Sequence, residues 1–467
     1  MKIVMFSITP LFPDHDLGGA QKHLRLIALY LAERGHEITV MCTRRADTPA
    51  RFNWHPRVVI KPILAFKQPF PAPYDTPAFN IANLVYDVAS HVAQADRFYI
   101  HDGEFVFAFV YRQTPTIVSL RDNVYPETIQ GAFQFQGHRL ILISQYARAF
   151  FTHTAGRFFP ELPERMVVIH NGIDWSRFRP TPPGRILDLL PIDPRAYRIV
   201  LHPHRPEETK GMWQTIHVVD RLVHHEGMTD VRVLVPMWLG TKADPGVSDF
   251  YARARRVIAD RGLTDHFIFH DWVPADLLPE YYSLGGVTLA LGSFVESFGN
   301  AVYESLGCGT PSIVARISSH RELLPEHLID KVDFDDDETA TSIAAAILRE
   351  GRRTSPETLA YLHEHYSIER QLAAYAEVIE NAQVASPLRF QLTPITASTR
   401  YRLAPWCYRA RRGIYHDYRA DYAETPELLA LVDAHPEGFS AADAVPFGLD
   451  EGQIEAWMRA GYTVPIS

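Results

Sequence analysis

Cysteine is scarce in this sequence, and positive charge is in the minority. The 467-residue chain contains three cysteines, Cys42, Cys308 and Cys407. An odd number at such wide spacing fits neither a disulfide framework nor a zinc site, so we expect free thiols. Lysine and arginine total 46 against 55 aspartates and glutamates, a formal net charge of -9. This balance argues against a general nucleic-acid binder, because phosphate neutralisation needs an excess of cations.

Long hydrophobic runs are absent as well. The longest apolar stretches, such as residues 105–111, are far shorter than the roughly 20 residues that span a bilayer. The start of the chain has no apolar segment followed by a small-residue cleavage site, so the sequence predicts no secretory signal and a cytoplasmic location. With 46% hydrophobic residues and no low-complexity tract, the composition is that of a folded protein of about two to four domains.

The first part of the chain alternates between strand-like and helix-like segments. Residues 2–7 form a short apolar run, and residues 20–34 carry apolar side chains at helical spacing before Gly35 ends the helix. Further strand candidates are 37–42, 58–63, 97–100, 116–119, 140–143 and 166–170. Such an alternation predicts a doubly wound parallel sheet.

A second alternation follows a proline-rich connection at residues 178–198, which cannot sustain a helix or a central strand. Its strand candidates are 198–202, 231–236, 266–269, 286–291 and 312–315, and its helix candidates are 212–225, 248–261 and 302–306. Two α/β halves joined by a linker predict a cleft between them, with ligands bound beyond the carboxyl ends of the strands.

The character of the sequence changes again after about residue 383. Residues 384–415 carry six arginines and no acidic residue, whereas residues 417–467 are acidic and show short helical patterns. We therefore expect an appended, mainly helical region at 384–467. Its arginine-rich 389–412 segment has two interpretations: a peripheral contact with an anionic membrane or acidic acceptor, or a structural brace that packs against the acidic tail and the N-terminal half.

The most informative stretch is residues 293–304, which follow an apolar strand and lead into a helix. Gly299, preceded by Phe298, allows the backbone to approach a ligand closely. The free N–H groups of Asn300 and Ala301, together with the helix dipole, would form an anion site suited to phosphate.

Two glutamates eight positions apart flank this turn. Glu304 would accept two hydrogen bonds from a vicinal diol such as a ribose, and Glu296 would face a second group of hydroxyls. A capped helix with two solvated glutamates is the simpler interpretation of such a pair taken alone, and the turn between them favours the functional one.

A basic loop and a glycine turn complete the set of candidate ligand-binding elements. Arg205 and Lys210 follow the first strand of the second half. There the forked guanidinium of Arg205 and the compact ammonium of Lys210 would hold a diphosphate and neutralise charge on a leaving group. Gly18 and Gly19 lie between the first strand and its helix, where helix amides can point at an anion. A solvated loop and a plain helix-entry turn explain them too, and the chain has neither a dinucleotide-binding glycine fingerprint nor a P-loop.

These elements, in this order, resemble the retaining family 4 glycosyltransferases of the GT-B fold over roughly residues 1–383. Residues 168–174, Val-Ile-His-Asn-Gly-Ile-Asp, resemble the segment that precedes the interdomain linker in that family. Residues 307–311 and the pair Arg321-Glu322 also fall where the family has them. The resemblance implies two Rossmann-like domains facing a cleft, an acceptor domain at 1–180 and a nucleotide-sugar domain at 198–383.

The resemblance also implies roles for individual residues. Glu304 would bind the nucleotide ribose, Glu296 the hydroxyls of the donor sugar, and Arg205 with Lys210 the diphosphate. The remaining donor contacts would come from Gly18, Gly19, Phe298 and the backbone of Gly299, Asn300 and Ala301, with Val273 reading the base.

His101, at the end of a strand, would lie near the reacting sugar, although a histidine satisfied by its neighbours fits the same position equally well. The acceptor would contact residues 67–75 and 122–137. This chain departs from the family at Ser318-Ser319, where Gly-Gly is common, and at Asp271, where glycine is usual. These departures bear on the donor sugar and base, and leave the reaction class as implied.

The implied reaction is retaining transfer of a sugar from a nucleotide sugar to an acceptor hydroxyl, without a metal ion or other cofactor. The acidic run at residues 333–337 offers metal ligands superficially and is predicted to be a surface loop. Two alternatives stay open: a phosphorylase or synthase on the same scaffold, using phosphate or a sugar phosphate, and a non-catalytic nucleotide-sugar-binding subunit.

Overall fold

The computed structural model of the chain describes residues 1–16, 18–65, 77–102, 107–238, 245–423 and 425–466, without the side chains of Glu127 and Pro245. Within these ranges the chain forms two compact units. Unit 1 comprises residues 1–170, 369–405 and 430–467, and unit 2 comprises residues 171–368 and 406–429. Residues of the appended region therefore belong to both units, and the predicted domain boundaries stay predictions.

The strands run along the chain as follows: β1 Lys2–Ser7, β2 Glu37–Thr43, β3 Phe52–His55, β4 Val58–Leu64, β5 Arg97–His101, β6 Thr116–Leu120, β7 Arg139–Leu142, β8 Met166–Val168, β9 Arg198–Leu201, β10 Val231–Pro236, β11 Phe267–His270, β12 Val287–Ala290, β13 Ser312–Ala315, β14 Asp330–Val332, β15 Arg400–Leu403, β16 Cys407–Ala410, β17 Gly413–His416, β18 Asp421–Ala423 and β19 Thr463–Ile466.

The α-helices are these: α1 Gly19–Glu33, α2 Ala78–Val92, α3 Ala108–Tyr111, α4 Pro126–Gln134, α5 Gln145–His153, α6 Leu162–Arg165, α7 Ile186–Leu189, α8 Met212–His224, α9 Pro245–Asp260, α10 Leu278–Leu284, α11 Asn300–Gly307, α12 Asp337–Glu350, α13 Pro356–His365, α14 Ile368–Glu380, α15 Pro426–Ala434, α16 Ala441–Ala444 and α17 Glu451–Arg459. Two short 3-10 turns, Glu208–Lys210 and Ser318–Arg321, contribute to the site described below.

Unit 1 is built on an eight-stranded sheet in the order β3-β4-β2-β1-β5-β6-β7-β8, in which only β3 pairs antiparallel. Its strands are apolar on both faces because helices cover both, and β1 lies centrally, with Val4 opposite Thr39 and Phe98. The apolar face of α1, including Leu24 and Leu31, is fully buried against this sheet. This packing places the turn before α1 at the carboxyl edge of the sheet.

Unit 2 repeats the pattern with a parallel six-stranded sheet, β11-β10-β9-β12-β13-β14. The buried core combines these strands with α8, α9 and α12. Strand β12 pairs with β9, which lies much earlier in the chain, and Thr288 is opposite Leu201. The loops that follow β9 and β12 therefore emerge side by side at one edge, where doubly wound sheets bind ligands.

The predicted α/β class and two-sheet architecture are confirmed. Every predicted strand and helix of residues 1–315 is present, with ends that differ by up to three residues. Strands β3 and β14 are additional, since a four-residue and a three-residue edge strand carry little periodicity. The expectation that residues 178–198 form no helix was wrong, because the single-turn helix α7, Ile186–Leu189, fits between the prolines of that connection. The region after residue 383 contains the expected helices and also five short antiparallel strands. The three cysteines are buried and free.

Candidate active site

The loops after β9 and β12 are held together by two glycines that touch. A Cβ atom on Gly211, whose φ is +86°, would lie 2.6 Å from the amide nitrogen of Gly292, and one on Gly292 would overlap the carbonyl of Thr209. The amide of Phe294 donates a hydrogen bond to that same carbonyl at 2.9 Å. Because no side chain fits between the two loops, the basic loop and the glutamate motif are kept at a fixed short distance.

Lys210 and Glu296 form an ion pair across these loops, with 2.6 Å between Nζ and Oε1. The Lys210 side chain is only 9% exposed, and its ammonium lies 3.4 Å from the centre of the Phe294 ring. Burial alone would raise the pKa of Glu296, but the charge and hydrogen bond of Lys210 prevail and hold that pKa below its ordinary value. At neutral pH Glu296 is therefore a carboxylate.

Arg205 lies further out on the same loop and is 43% exposed. Its Nε is 3.1 Å from Oε1 of Glu207, and its guanidinium faces the ring of Trp238 at 6.0 Å. An anionic ligand would compete with Glu207 for this guanidinium, because that ion pair is solvent-exposed and therefore weak.

Helix α11 begins at the carboxyl edge of β12 without a side-chain cap. Its N-cap is Gly299, with φ at +83°, and within the described residues the backbone N–H groups of Asn300 and Ala301 have no protein acceptor. The Asn300 side chain is held by the Asn171 amide, which donates to its Oδ1 at 3.1 Å. The free amides and the positive end of the helix dipole form the kind of site that takes phosphate oxygens.

Glu304 lies in the second turn of α11 and is 7% exposed. The hydroxyl of Tyr282, on α10, donates to its Oε2 at 3.3 Å. Burial, with the nearby carboxylate of Glu304, raises the pKa of Tyr282 well above its ordinary value, so the phenol keeps its proton. Val273 is buried in the loop after β11, two strands away from β9 in the sheet order.

A loop that the sequence flagged only as a departure completes the site. Ser318 and Ser319 both donate their hydroxyl protons to the backbone carbonyl of Glu296, at 2.7 and 2.8 Å. His320 follows them, and its ring lies against Gly299, where an added Cβ would be 2.6 Å from Cε1. The replacement of Gly-Gly by Ser-Ser was the available signal, but the contact with Glu296 cannot be read from a sequence position.

In unit 1, His101 lies next to the glycine turn. Gly18 is the N-cap of α1, Gly19 is its first residue, and the carbonyl of Ala20 is 3.0 Å from Nε2 of His101. The Tyr99 hydroxyl is 2.8 Å from its Nδ1, so neighbours occupy both ring nitrogens of this buried side chain. Burial and the charge of Arg121 keep the pKa of His101 well below its ordinary value. A substrate could contact Nε2 of His101 only if the hydrogen bond to the Ala20 carbonyl were broken. The catalytic role of His101 stays a prediction.

The two predicted acceptor segments differ in what the structure describes. Residues 67–75 lie outside the described residues, as does Leu17 before the glycine turn. Residues 122–137 form the loop after β6 and helix α4, where Asp122 accepts hydrogen bonds from the amide of Val124 and the hydroxyl of Thr128, both at 3.0 Å.

Two family models match this chain in succession. The model of Glycosyltransferase Family 4 matches residues 17–177, and that of Glycosyl transferases group 1 matches residues 194–354. The chain belongs to the family 4, group 1 glycosyltransferases. It is therefore an enzyme, and the resemblance stated from the motifs is confirmed.

Curated relatives of this glycosyltransferase act on different acceptors according to their names. A D-inositol 3-phosphate glycosyltransferase of Acidothermus cellulolyticus is 28% identical over 327 residues, which are 65% of this chain and 71% of the relative. A 2-deoxystreptamine N-acetyl-D-glucosaminyltransferase of Streptomyces fradiae is 27% identical over 138 residues, 27% of this chain and 32% of the relative.

Solved structures share the fold of the glycosyltransferase at low identity. A sucrose-phosphate synthase from Thermosynechococcus elongatus superposes with a TM-score of 0.67 at 15% identity, covering 81% of this chain and 98% of that one. Anabaena HepE in complex with UDP and glucose gives a TM-score of 0.64 at 20% identity, covering 81% and 99%. These similarities confirm the GT-B fold.

The acidic run at residues 333–337 of the glycosyltransferase is engaged in structural contacts. Asp333 accepts a hydrogen bond from the Tyr408 hydroxyl at 3.0 Å, and Asp336 caps helix α12. Asp337 lies 3.0 Å from a ring nitrogen of His217. Across the ranges given above, no three His, Cys, Asp or Glu side chains are grouped so as to hold a metal ion. None of the helices in those ranges is both long and apolar enough to traverse a bilayer.

Proposed function

We propose that this glycosyltransferase moves a sugar from a nucleotide-sugar donor to an acceptor hydroxyl with retention at the anomeric carbon, and that the donor binds on unit 2. The observation that carries the proposal is the 2.6 Å pairing of Lys210 with Glu296 beside the uncapped start of α11. Here a cation, a carboxylate and free helix amides lie together at the carboxyl edge of a parallel sheet. The complexes of HepE with UDP and with UDP-glucose support a donor of this class.

Unit 2 offers more binding groups for the diphosphate than for any other part of the donor. Lys210, Arg205 and the amides of Asn300 and Ala301 would contact its oxygens. When the bond to the sugar breaks, negative charge accumulates on the distal phosphate, and fixed cations and amides stabilise it without reorganising. Lys210 suits this role because its buried ammonium acts in a weakly screened environment.

The two glutamates would orient the rest of the donor. Glu304 would accept hydrogen bonds from the ribose hydroxyls, and the Tyr282 hydroxyl on Oε2 fixes the carboxylate for that purpose. Glu296 would hold hydroxyls of the transferred sugar, with its main chain fixed through Ser318 and Ser319. We place the base near Val273.

Retention has two common routes, a covalent sugar–carboxylate intermediate and same-face attack by the acceptor. The pairing of Glu296 with Lys210 favours the second route, because an ion-paired carboxylate is a poor nucleophile. In that route the bond from the anomeric carbon to the phosphate oxygen breaks, the acceptor oxygen bonds to the same face, and its proton passes to the departing phosphate. His101 would lie near the reacting sugar.

The proposal includes no metal ion, because Lys210, Arg205 and the helix amides supply the positive charge that a cation would bring. Turnover with the preferred donor should persist when EDTA is added and should gain little from magnesium. A loss of turnover in EDTA that magnesium restores would contradict this part of the proposal.

Substitution of Lys210 tests the proposed role of the site. We expect Lys210→Ala to lower turnover by about 100-fold or more, since it removes a charge that acts on the leaving group. Arg349→Ala is the matched control, because it deletes a half-exposed cation that pairs with Glu226 on another face of unit 2. Both variants should retain the thermal midpoint of a folded protein. Near-normal turnover in Lys210→Ala would overturn the assignment.

A sugar phosphorylase or synthase is the second candidate, because sucrose-phosphate synthase and trehalose-6-phosphate synthase share the fold. A thermal-shift screen of nucleotide sugars, followed by assays with sugar phosphates and with inorganic phosphate, separates the two reactions. Assignment of the product anomer then tests retention.

A peripheral membrane contact of the 389–412 segment also stays a proposal. Phe390 and Leu392 are 67% and 68% exposed close to Arg389 in the sequence. Apolar side chains beside arginine suit an anionic lipid surface. Co-sedimentation with phosphatidylglycerol vesicles, compared with phosphatidylcholine vesicles, should show preferential binding, and equal binding to both would contradict it. The predicted cytoplasmic location fits such a contact from the inner side.

A further inference from the structure

His320 is a buried side chain of which one ring nitrogen is hydrogen-bonded and the other is not, within the described residues. It is 5% exposed, and its Nδ1 lies 3.1 Å from the hydroxyl of Tyr303. Among the described residues, Nε2 has no hydrogen-bond partner. The ring covers Gly299, the residue from which α11 starts, and its Nε2 would be 3.1 Å from a Cβ placed there. This nitrogen is not one of the fully buried unpaired atoms, so it retains some contact with solvent, and a ligand oxygen can replace water as its partner.

We propose that His320 is a donor-binding residue whose Nε2–H hydrogen-bonds an oxygen of the distal phosphate of a nucleoside diphosphate at the start of α11. This inference rests on the proposed function, in which the amides of Asn300 and Ala301 hold the same phosphate. The distal phosphate is the favoured group because His320 contacts Gly299 directly, whereas Glu304, the ribose partner, lies a turn further along the helix.

The hydrogen bonds of the ring give Nε2 the donor role. Burial raises the pKa of Tyr303 well above its ordinary value, so its hydroxyl keeps the proton and can donate it to Nδ1. A neutral imidazole that accepts at Nδ1 carries its proton on Nε2. Burial also lowers the pKa of His320 to about 4, although Glu296 opposes this shift. The ring therefore offers a neutral N–H group to an anionic oxygen.

The preceding residues fix the position of this ring. Ser318 adopts a φ of +46°, a left-handed conformation that a non-glycine residue seldom takes. Its strain is compensated by the hydroxyl bonds of Ser318 and Ser319 to the Glu296 carbonyl. On the other side, Arg321 forms a two-pronged ion pair with Asp417, with both N–O distances at 2.8 Å. His320 is thus anchored through both chain neighbours, which is how a ligand-binding side chain is pre-oriented.

Binding of nucleoside diphosphates and monophosphates separates a phosphate contact from other effects. Calorimetric titration with UDP, GDP and ADP identifies the base that the full-length protein binds, and the matching monophosphate serves as the reference ligand. We expect His320→Phe to weaken diphosphate binding about tenfold or more, the usual effect of losing one hydrogen bond to a charged group. Monophosphate binding should change less than about twofold. His320→Gln, which retains an N–H donor, should recover part of the loss, and Tyr303→Phe should show an intermediate loss.

The controls distinguish failure of this inference from failure of the proposed function. His327→Phe, at an exposed histidine of unit 2, should leave both affinities unchanged. Equal diphosphate affinity of the parent protein and His320→Phe would overturn the role of His320 and leave the proposed function standing. Equal weakening for both ligands would also overturn it, since the ring would then act on the nucleoside. A parent protein that binds none of the diphosphates would overturn the proposed function and this inference with it.

Discussion

Substitution of Gly299 by alanine tests whether the start of α11 and the His320 ring are packed as described. Two costs add at this position. An L-residue at φ of +83° costs roughly 1–2 kcal/mol in backbone strain. A Cβ 2.6 Å from Cε1 of His320 must also displace a buried ring, which adds about 1–3 kcal/mol of overpacking. The total is about 2–5 kcal/mol.

Gly351 provides a matched control for the backbone cost. It also has a positive φ, +61°, but nothing lies within 4 Å of an added Cβ. Gly351→Ala should therefore show the strain alone. Since about 1 kcal/mol shifts the midpoint by roughly 2–4 °C in a domain of this size, calorimetry should find Gly299→Ala several degrees less stable than Gly351→Ala.

A double-mutant cycle with His320→Ala isolates the clash itself. Removal of the ring should make the Gly299→Ala change cost no more than the Gly351→Ala change, which gives a coupling free energy of about 1–3 kcal/mol. Equal midpoints for the two glycine variants, or costs at Gly299 that stay the same without the ring, would refute the packing of His320 on Gly299.

Two further ion pairs lead to predictions of stability. Asp417→Asn should destabilise unit 2 by about 3–5 kcal/mol, because Asp417 is fully buried and Arg321 would lose its counter-charge. A decrease of less than about 2 °C in the calorimetric midpoint would contradict this prediction. Glu380, paired with Arg34 and His36, has its pKa lowered from 4.5 to about 2, chiefly by the hydrogen bond from Arg34. This folded-state pKa is below the unfolded value, so the ion pair stabilises the folded protein above pH 4.5, and this stabilisation is lost as the pH falls towards 2. The thermal midpoints of Glu380→Gln and the parent protein should therefore converge over that range.

Much of this site was predictable because parallel sheets follow strict rules. Apolar runs of the right length identify β9 and β12, and the carboxyl ends of neighbouring strands lie at one edge. Lys210 and Glu296 were each predicted for the donor, and their 2.6 Å distance follows from that edge together with a Gly211–Gly292 contact that only glycines allow. The strands, their loops and the residue types that meet at this edge were therefore predictable, while the binding of a donor there and the role of each side chain stay predictions.

The appended region shows why the rest was not predictable. Its arginines were expected either to meet a membrane or to brace the chain against acidic segments. The ion pair observed in unit 2 reverses the expected roles of the two segments. The arginine, Arg321, precedes the appended region, and the buried carboxylate, Asp417, belongs to it. The two residues are 96 positions apart. No local pattern specifies a pairing at such a separation, because a short antiparallel meander is defined by what it packs against.

That pairing connects the appended segment of unit 2 to the proposed donor site through a short stretch of chain. Arg321 is adjacent to His320, and two residues earlier Ser319 holds the carbonyl of Glu296. The β16–β18 meander also covers Ala315 and Ile317, which lead into this loop from β13. A loop that replaces Gly-Gly with bulkier residues needs support to keep one conformation, and the buried Asp417 supplies it from outside the region that matches the family. The Ser318-Ser319 loop and the β16–β18 meander are therefore parts of one structural feature, in which residues outside the region that matches the family stabilise a loop beside the proposed donor site.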